Sequence, residues 1–171
     1  MFKLNKVILG LAVLAAPLAS STALAVDTPL VGTVESRCTV TTDTMGIYGN
    51  PLPYKLSTAQ ADAGVEPVIR YDVVQASYYK AYITHPISFS ESPALTDTTA
   101  WTGDVSVKEV SDAQMSSYDT DKIEYDNVTE IALTYAGSTW FKVESEVQYG
   151  YQKSWPAGTY RAIVQAECIA I

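Results

Sequence analysis

The stretch "GTYRAIVQAECIAI" constrains the fold more than any other part of the chain. From Tyr160 onward, apolar or small side chains recur at every second position, with several polar residues between them. Successive side chains of a strand point to opposite faces, so this period predicts a β-strand with one buried face over Thr159–Ala170. The predicted buried face consists of Tyr160, Ala162, Val164, Ala166, Cys168 and Ala170.

Much of the chain before this stretch has the same strand-rich character. Short runs rich in Val, Thr and Tyr lie between turn-forming clusters such as "YGNPLP", "SESP" and "WPAG", which is typical of a β-sandwich or barrel. We expect a helical turn in each of "TAQADAG" and "SDAQMSS". The sequence therefore predicts a single antiparallel all-β domain of about seven strands. These are Leu30–Val40, Val65–Gln75, Tyr78–Thr84, Asp104–Val110, Thr129–Tyr135, Trp140–Tyr149 and Thr159–Ala170.

The first 25 residues have the pattern of an export signal. Lys3 and Lys6 precede an apolar stretch that ends in Ala23-Leu24-Ala25, a small-x-small cleavage pattern. Pro17 and the serines after it end the apolar run before it is long enough to anchor the chain in a membrane. We therefore expect a signal peptide over 1–25, an exported protein, and one mature domain over 26–171.

The two cysteines, Cys38 and Cys168, are predicted to form a disulfide. Exported chains meet an oxidising environment, and two cysteines there are typical of one structural bridge. A redox or metal role would need a CxxC pair or several histidines, and the sequence has neither. The bridge would close nearly the whole mature domain.

The charge of the mature chain narrows the range of partners. Loss of Lys3 and Lys6 leaves 9 basic and 19 acidic residues, so the mature net charge is −10. Such a charge argues against binding to nucleic acid and against adsorption to anionic lipid. No segment after the signal peptide is apolar enough to enter a membrane.

Catalytic motifs are absent from the sequence. His85 is the one histidine, and a Ser–His–Asp arrangement would need it as the base. No GxSxG, HExxH or glycine-rich phosphate loop occurs, although a pair of glycosidase carboxylates cannot be recognised from sequence. We expect His85 to be a loop residue at a strand end, and we expect no enzyme activity, no cofactor and no metal.

Two other features leave alternatives open. "YDTDKIEYDN" contains Asp119, Asp121, Glu124 and Asp126, which is a solvated acidic loop or an extracellular calcium site that lacks EF-hand spacing. The aromatic residues, Trp101, Trp140 and Trp155 among them, belong to strands and core or form a strip that stacks on sugar rings. "NVT" at Asn127 fits a glycosylation acceptor.

Two stretches resemble a known family. "LVGTVESRCTVTTDTMGIYGNPL" is similar to the start of pilus subunits from chaperone–usher systems, and "MGIYGNP" within it is similar to the "F-G-x-Y-x-P" that follows the cysteine in spore coat protein U-like pilins. Gly158, the fourteenth residue from the end, and the alternating residues after it resemble the chaperone-binding last strand of such subunits.

The resemblance implies an immunoglobulin-like sandwich that lacks its final strand. It also implies a fimbrial subunit that passes through the periplasm with a chaperone, meets an outer-membrane usher, and joins copies of itself or related subunits at the cell surface. Assembly would occur by donor-strand complementation, in which the N-terminal segment of one subunit (26–32) fills the groove of another. The donated face would be Val26, Thr28, Leu30 and Gly32, and the accepting edge Gly158, Tyr160, Ala162, Val164, Ala166 and Ala170.

A sandwich that is complete on its own fits the same strand count. In that case the protein would be a secreted module that binds carbohydrate or a surface, in the manner of an adhesin, and its tryptophans would hold the ligand. The two hypotheses differ in whether the sandwich contains its own last strand.

Overall fold

The computed structural model describes residues 37–171, which fold into a sandwich of ten strands. One short helix, α1 (Tyr118–Asp121), and two 3-10 turns, Gln60–Asp62 and Ala113–Ser117, complete the described elements. Both 3-10 turns lie in the segments predicted to contain helical turns. The strands are β1 (Cys38–Thr44), β2 (Gly49–Leu52), β3 (Lys55–Ser57), β4 (Val68–Val73), β5 (Tyr79–Thr84), β6 (Thr99–Val110), β7 (Ile123–Tyr125), β8 (Val128–Ala132), β9 (Gly137–Tyr149) and β10 (Gln165–Ala170).

Two antiparallel sheets pack face to face, which confirms the predicted sandwich. The larger sheet has the order β1-β4-β9-β3-β2, and β6 also pairs with β9. The smaller sheet has the order β10-β5-β8-β7. The first and the last described strands, β1 and β10, therefore lie at sheet edges.

The core lies between the sheets and follows from alternation within the central strands. In β9 the side chains of Phe141, Val143, Ser145 and Val147 are fully buried, while Lys142, Glu144 and Glu146 between them are partly exposed. Ile83 of β5 and Ile131 of β8 supply the facing layer from the smaller sheet. Full burial of such a side chain contributes about 1.5–3 kcal/mol, so this layer is a main source of the stability of the sandwich.

The strand count predicted from the sequence was too low. Each of the seven predicted strands overlaps an observed one, and β2, β3 and β7 are additional. These three have only three or four residues each, and β2 contains Pro51, a residue that disfavours strands. Segments this short carry too little alternation to be recognised.

The last strand begins later than predicted, at Gln165 rather than Thr159. Arg161 makes an isolated bridge with Glu91, and residues 162–164 have no strand partner within the described residues. The alternation of exposure nevertheless continues from Tyr160 to Cys168, so the segment keeps its strand-like faces although it is unpaired.

Candidate functional site

A covalent bond joins the edges of the two sheets. β1 pairs with β4 at the edge of the larger sheet, and β10 pairs with β5 at the edge of the smaller sheet. The disulfide between Cys38 and Cys168 links these strands with a Cα–Cα distance of 6.3 Å, which confirms the predicted bridge. Because β1 and β10 do not pair with each other, the disulfide holds together two strands that no ladder connects.

An open groove runs away from the disulfide between the two edges. A cavity of about 550 Å³ begins beside the bridge, with Val40 and Ala166 in its lining. A second cavity of about 800 Å³ continues to Gly158. The two cavities share Tyr48 and Ala162, so they form one continuous groove with a disulfide end and a Gly158 end.

The segment that follows β1 forms one wall of the groove. Its position is fixed by an isolated bridge in which the Ile47 N–H donates to the Val65 carbonyl oxygen at 2.9 Å. The side chains of Met45 and Ile47 are 80% and 60% exposed, and Ile163 on the opposite wall is 60% exposed. The groove therefore has an apolar rim, a feature typical of a surface that binds another protein or a ligand.

The structure brings most of the predicted accepting edge to the opposite wall. Gly158 and Tyr160 line the 800 Å³ cavity, Val164 and Ala166 line the 550 Å³ cavity, and Ala162 lines both. Ala170 is different: it pairs with Tyr79 beyond the disulfide, is exposed, and lines neither cavity. Its place at the end of β10 removes it from the groove.

Gly158 occupies a position that only glycine fits without strain. Its φ of +153° lies in a region that L-residues with a side chain rarely adopt. A Cβ atom there would also lie 2.4 Å from Cγ of Pro93. The glycine at the end of the groove thus has a local physical cause, independent of any family pattern.

An aromatic cluster lies beside the Gly158 end. Phe89 is its centre, with ring centroids 4.7 Å from Trp101, 5.7 Å from Trp155 and 5.1 Å from Tyr160. Trp155 also stacks on Tyr149 at 4.8 Å, and its buried Nε1 has no hydrogen-bond partner among the described residues. The sequence could not reveal this cluster, because its members are far apart in the chain and no spacing connects them.

The groove offers hydroxyl groups, and Arg161 is the one charged side chain in its lining among the described residues. The Tyr48 hydroxyl lies 2.9 Å from Oγ of Ser145. Burial raises the pKa of Tyr48, against the opposing effect of the Ser145 hydrogen bond, and burial also raises the pKa of Tyr160. Both phenols are therefore neutral at physiological pH, and they can form hydrogen bonds with a bound chain without adding charge.

His85 follows β5 directly and is buried. Its backbone N–H donates to the Asn127 carbonyl oxygen at 3.0 Å, and the Asn127 side-chain amide donates to the His85 carbonyl oxygen at 3.0 Å. The ring Nδ1 lies 3.4 Å from the Pro86 carbonyl oxygen, and no carboxylate or serine hydroxyl of the described residues bonds to the ring. The surroundings of His85 and Asn127 are those of a strand-end loop.

The acidic loop is organised around a lysine. The Lys122 ammonium lies 2.7 Å from a carboxylate oxygen of Asp104 and 2.8 Å from one of Glu124. Asp119 accepts a hydrogen bond from the Val107 N–H at 2.6 Å. Across residues 37–171, no three metal-ligating side chains form a cluster that could hold an ion.

A polar cluster that the sequence did not predict lies on the smaller sheet. The carboxylate of Glu130 accepts from the Tyr82 hydroxyl at 2.8 Å and from the Tyr125 hydroxyl, and it pairs with Lys80 at 2.5 Å. The Lys80 hydrogen bond and those of Tyr125 and Tyr82 lower the pKa of Glu130 to about 2. The hydrogen bond with Glu130 raises the pKa of Tyr125 to about 12. This cluster joins β5, β7 and β8.

The predicted donor residues Val26, Thr28, Leu30 and Gly32, and the predicted signal peptide, lie outside the described residues. Within the described part of the chain, no helix has the length and apolar character needed to cross a membrane. The chain matches no protein family model, no curated protein and no solved structure.

Proposed function

We propose that this protein is a structural subunit of a cell-surface fibre, and that its groove accepts the N-terminal segment of a neighbouring copy as an added strand. The observation that supports the proposal is the apolar groove between β1 and β10. An uncovered strand edge beside apolar cavities favours aggregation unless a partner covers it. An added strand covers such an edge with main-chain hydrogen bonds, and its alternate side chains fill the cavities.

A register can be proposed for the donated segment. The wall from Gly158 to Ala166 has nine residues, so a strand that covers all of it would need the predicted donor segment 26–32 and the next two residues, Thr33 and Val34. In an antiparallel arrangement with Val26 opposite Ala166, Leu30 lies opposite Ala162 and Gly32 lies opposite Tyr160. Leu30, the largest side chain of the donated face, then lies opposite the small Ala162, and Gly32 lies opposite Tyr160, the largest residue of the wall.

The direction of the chain supports a linear polymer. The described chain begins at Arg37, beside Cys38, so the N-terminal segment leaves the subunit at the disulfide end of the groove. The body of an incoming donor would lie at the Gly158 end, because its antiparallel segment finishes there. A contact between two different surfaces of this kind extends into a filament. By the same proposal, a periplasmic chaperone covers the groove before assembly and an outer-membrane usher presents it.

Two complementary variants test the proposal. Leu30→Asp places a charge where the donor must enter a groove with an apolar rim, at a cost of several kcal/mol, and leaves the groove intact. Ala166→Trp blocks the groove and leaves the donor intact. We expect each variant alone to stay monomeric, the mixture to form one-to-one heterodimers only, and unaltered mature protein to form long chains.

Native mass spectrometry measures these species directly. Ile123→Asp, at an exposed site on the far edge of the smaller sheet, is the control and should polymerise normally. Unaltered protein that stays monomeric at high concentration, or a mixture of variants without heterodimers, would contradict strand donation.

The aromatic cluster favours a second candidate function, carbohydrate binding. Tyr48, Trp155 and Tyr160 line the 800 Å³ cavity, and aromatic rings stack on sugar faces. Under this alternative, a glycan quenches or shifts the fluorescence of Trp155, and Trp155→Ala abolishes retention on that glycan. The subunit would then stay monomeric, and the Leu30→Asp change would have no effect on binding.

A further inference from the structure

We infer that neighbouring subunits also dock body to body: the end of the sandwich around Val74, Tyr78 and Ile171 of one copy packs on the end around Leu52 and Tyr151 of the next. The inference rests on the proposed function, because the inserted strand determines which copies meet. It adds a second interface, made by residues that line neither cavity of the groove.

In the proposed register, the short connection between the inserted strand and the donor body brings the two bodies together. With Val34 opposite Gly158, only Glu35 and Ser36 separate the inserted strand from Arg37, where the described domain begins. Three residue steps span at most about 11 Å. Arg37 of the donor must then lie within about 11 Å of the segment paired with the acceptor's Gly158, so the surfaces around these two positions meet.

The surface around Arg37 is apolar and exposed. Its carbonyl oxygen accepts a hydrogen bond from the Val74 N–H at 3.0 Å, and the Ile171 N–H donates to the Tyr78 carbonyl oxygen at 3.1 Å. The side chains of Val74, Tyr78 and Ile171 are 65%, 51% and 67% exposed. We call these three residues the disulfide-end patch. Nothing in the core or the groove requires them to be apolar.

The surface around the opposite end is also apolar. Leu52 is 43% exposed at the end of β2, and Tyr151 is 92% exposed just beyond β9. The Trp155 N–H donates to the Pro53 carbonyl oxygen at 2.9 Å, which ties the segment that leads to Gly158 to the β2–β3 turn. We call Leu52 and Tyr151 the Gly158-end patch. It lies beside the point where a donor body would arrive.

The two patches are different and lie at opposite ends of the sandwich. Contiguous exposed apolar side chains are typical of interaction sites, and two distinct patches that fit each other produce a head-to-tail contact. This is the geometry that strand donation along the groove also requires. One copy therefore presents its disulfide-end patch to the Gly158-end patch of its acceptor.

The heterodimer of the two blocked variants isolates this contact. The donor is the mature Ala166→Trp chain, with or without Val74→Asp or Ile171→Asp, and the acceptor is the mature Leu30→Asp chain. A synthetic peptide of residues 26–36 serves as a donor without a body. Dissociation constants are measured by fluorescence anisotropy for each donor, and circular dichroism verifies that each variant is folded.

We expect Val74→Asp and Ile171→Asp to weaken the heterodimer at least about tenfold, with Tyr151→Asp in the acceptor giving a similar loss. The peptide should bind the acceptor more weakly than the whole donor does, and its affinity should be unchanged by Tyr151→Asp. Ile123→Asp in the donor is the matched control, since this residue is 54% exposed on β7, and it should change nothing.

Two results would overturn the inference while strand donation stands: charged patch variants that bind like the unaltered donor, or a peptide that binds as tightly as the whole donor. If neither the peptide nor the whole donor binds, strand donation itself fails, and the body contact fails with it.

Discussion

The smaller sheet has two edges, and they differ in almost every respect. The β7 edge has only three residues, and the ion pair between Lys122 and Glu124 lies across it. The β10 edge continues a long alternating segment and borders apolar cavities with Val164 and Ala166 in their lining. Short length and charge are the usual protection of an edge against unwanted pairing. β10 is twice as long as β7 and lies beside the groove, as expected of an edge that receives a strand.

The two edges are also held in different ways. β7 is attached from the outer face through the Tyr125 hydroxyl and the Glu130 carboxylate. β10 is held through the core, by the disulfide and by the Tyr71 hydroxyl, which donates to the Glu167 carbonyl oxygen at 3.2 Å. Within the described residues β10 pairs with β5 alone, so its other edge is free to pair with an incoming strand.

Removal of the disulfide should have the largest effect. The bridge closes a loop with a sequence separation of 130, and the chain-entropy relation gives an upper value of about 4–5 kcal/mol for a loop of this size. We expect Cys38→Ser with Cys168→Ser to lower the free energy of unfolding by several kcal/mol, about 2–5, measured by urea denaturation.

The same double variant should also fail to bind the 26–36 peptide in the absence of urea, where the variant is folded. The reason is that β1 and β10 no longer have a fixed separation. A loss of stability below about 1 kcal/mol, with peptide binding intact, would show that the bridge does not hold the groove.

Tyr71→Phe should lower the free energy of unfolding by less than removal of the disulfide does, and its effect should lie at the β10 edge. The Tyr71 hydroxyl donates to the partly buried carbonyl oxygens of Tyr82 and Glu167, and loss of this interaction should cost about 0.5–1.5 kcal/mol. Thermal denaturation gives the size of the loss, and hydrogen exchange should place it in β10. Tyr79→Phe is the control, and an equal loss in both variants would argue against a specific anchor.

Glu130→Gln should destabilise the β7 edge, and the loss of stability should depend on pH. The pKa of Glu130 is about 2 in the fold against 4.5 for the free group, so its stabilisation is complete above pH 4.5 and is lost as the pH falls towards 2. The difference in melting temperature between Glu130→Gln and the unaltered protein should therefore be largest near neutral pH and vanish near pH 2. Glu109→Gln, exposed on β6, is the control. A difference independent of pH would exclude the ionised cluster as the cause.

The sequence predicted those parts of the fold that follow from local pattern. Period-two alternation predicted which face of Tyr160–Cys168 points inward, and the presence of two cysteines in a chain with a predicted export signal predicted the bridge. The three shortest strands had no such pattern. The aromatic cluster around Phe89 and the Glu130 cluster depend on contacts between distant residues, which alternation and spacing do not encode. The donor role of Leu30 and its neighbours stays a prediction.

Hydrogen exchange of the Leu30→Asp chain over residues 26–171, with and without the unaltered 26–36 peptide, tests strand donation most directly, because this variant keeps its groove but cannot fill that of a neighbour. The peptide should slow the exchange of backbone amides from Gly158 to Cys168 and leave those of β7 unchanged, because only the β10 edge has a groove to accept a strand. A Gly32→Leu peptide should lose this protection, and Tyr160→Ala should restore it. Unchanged exchange along Gly158–Cys168, or equal protection of β7, would contradict the account.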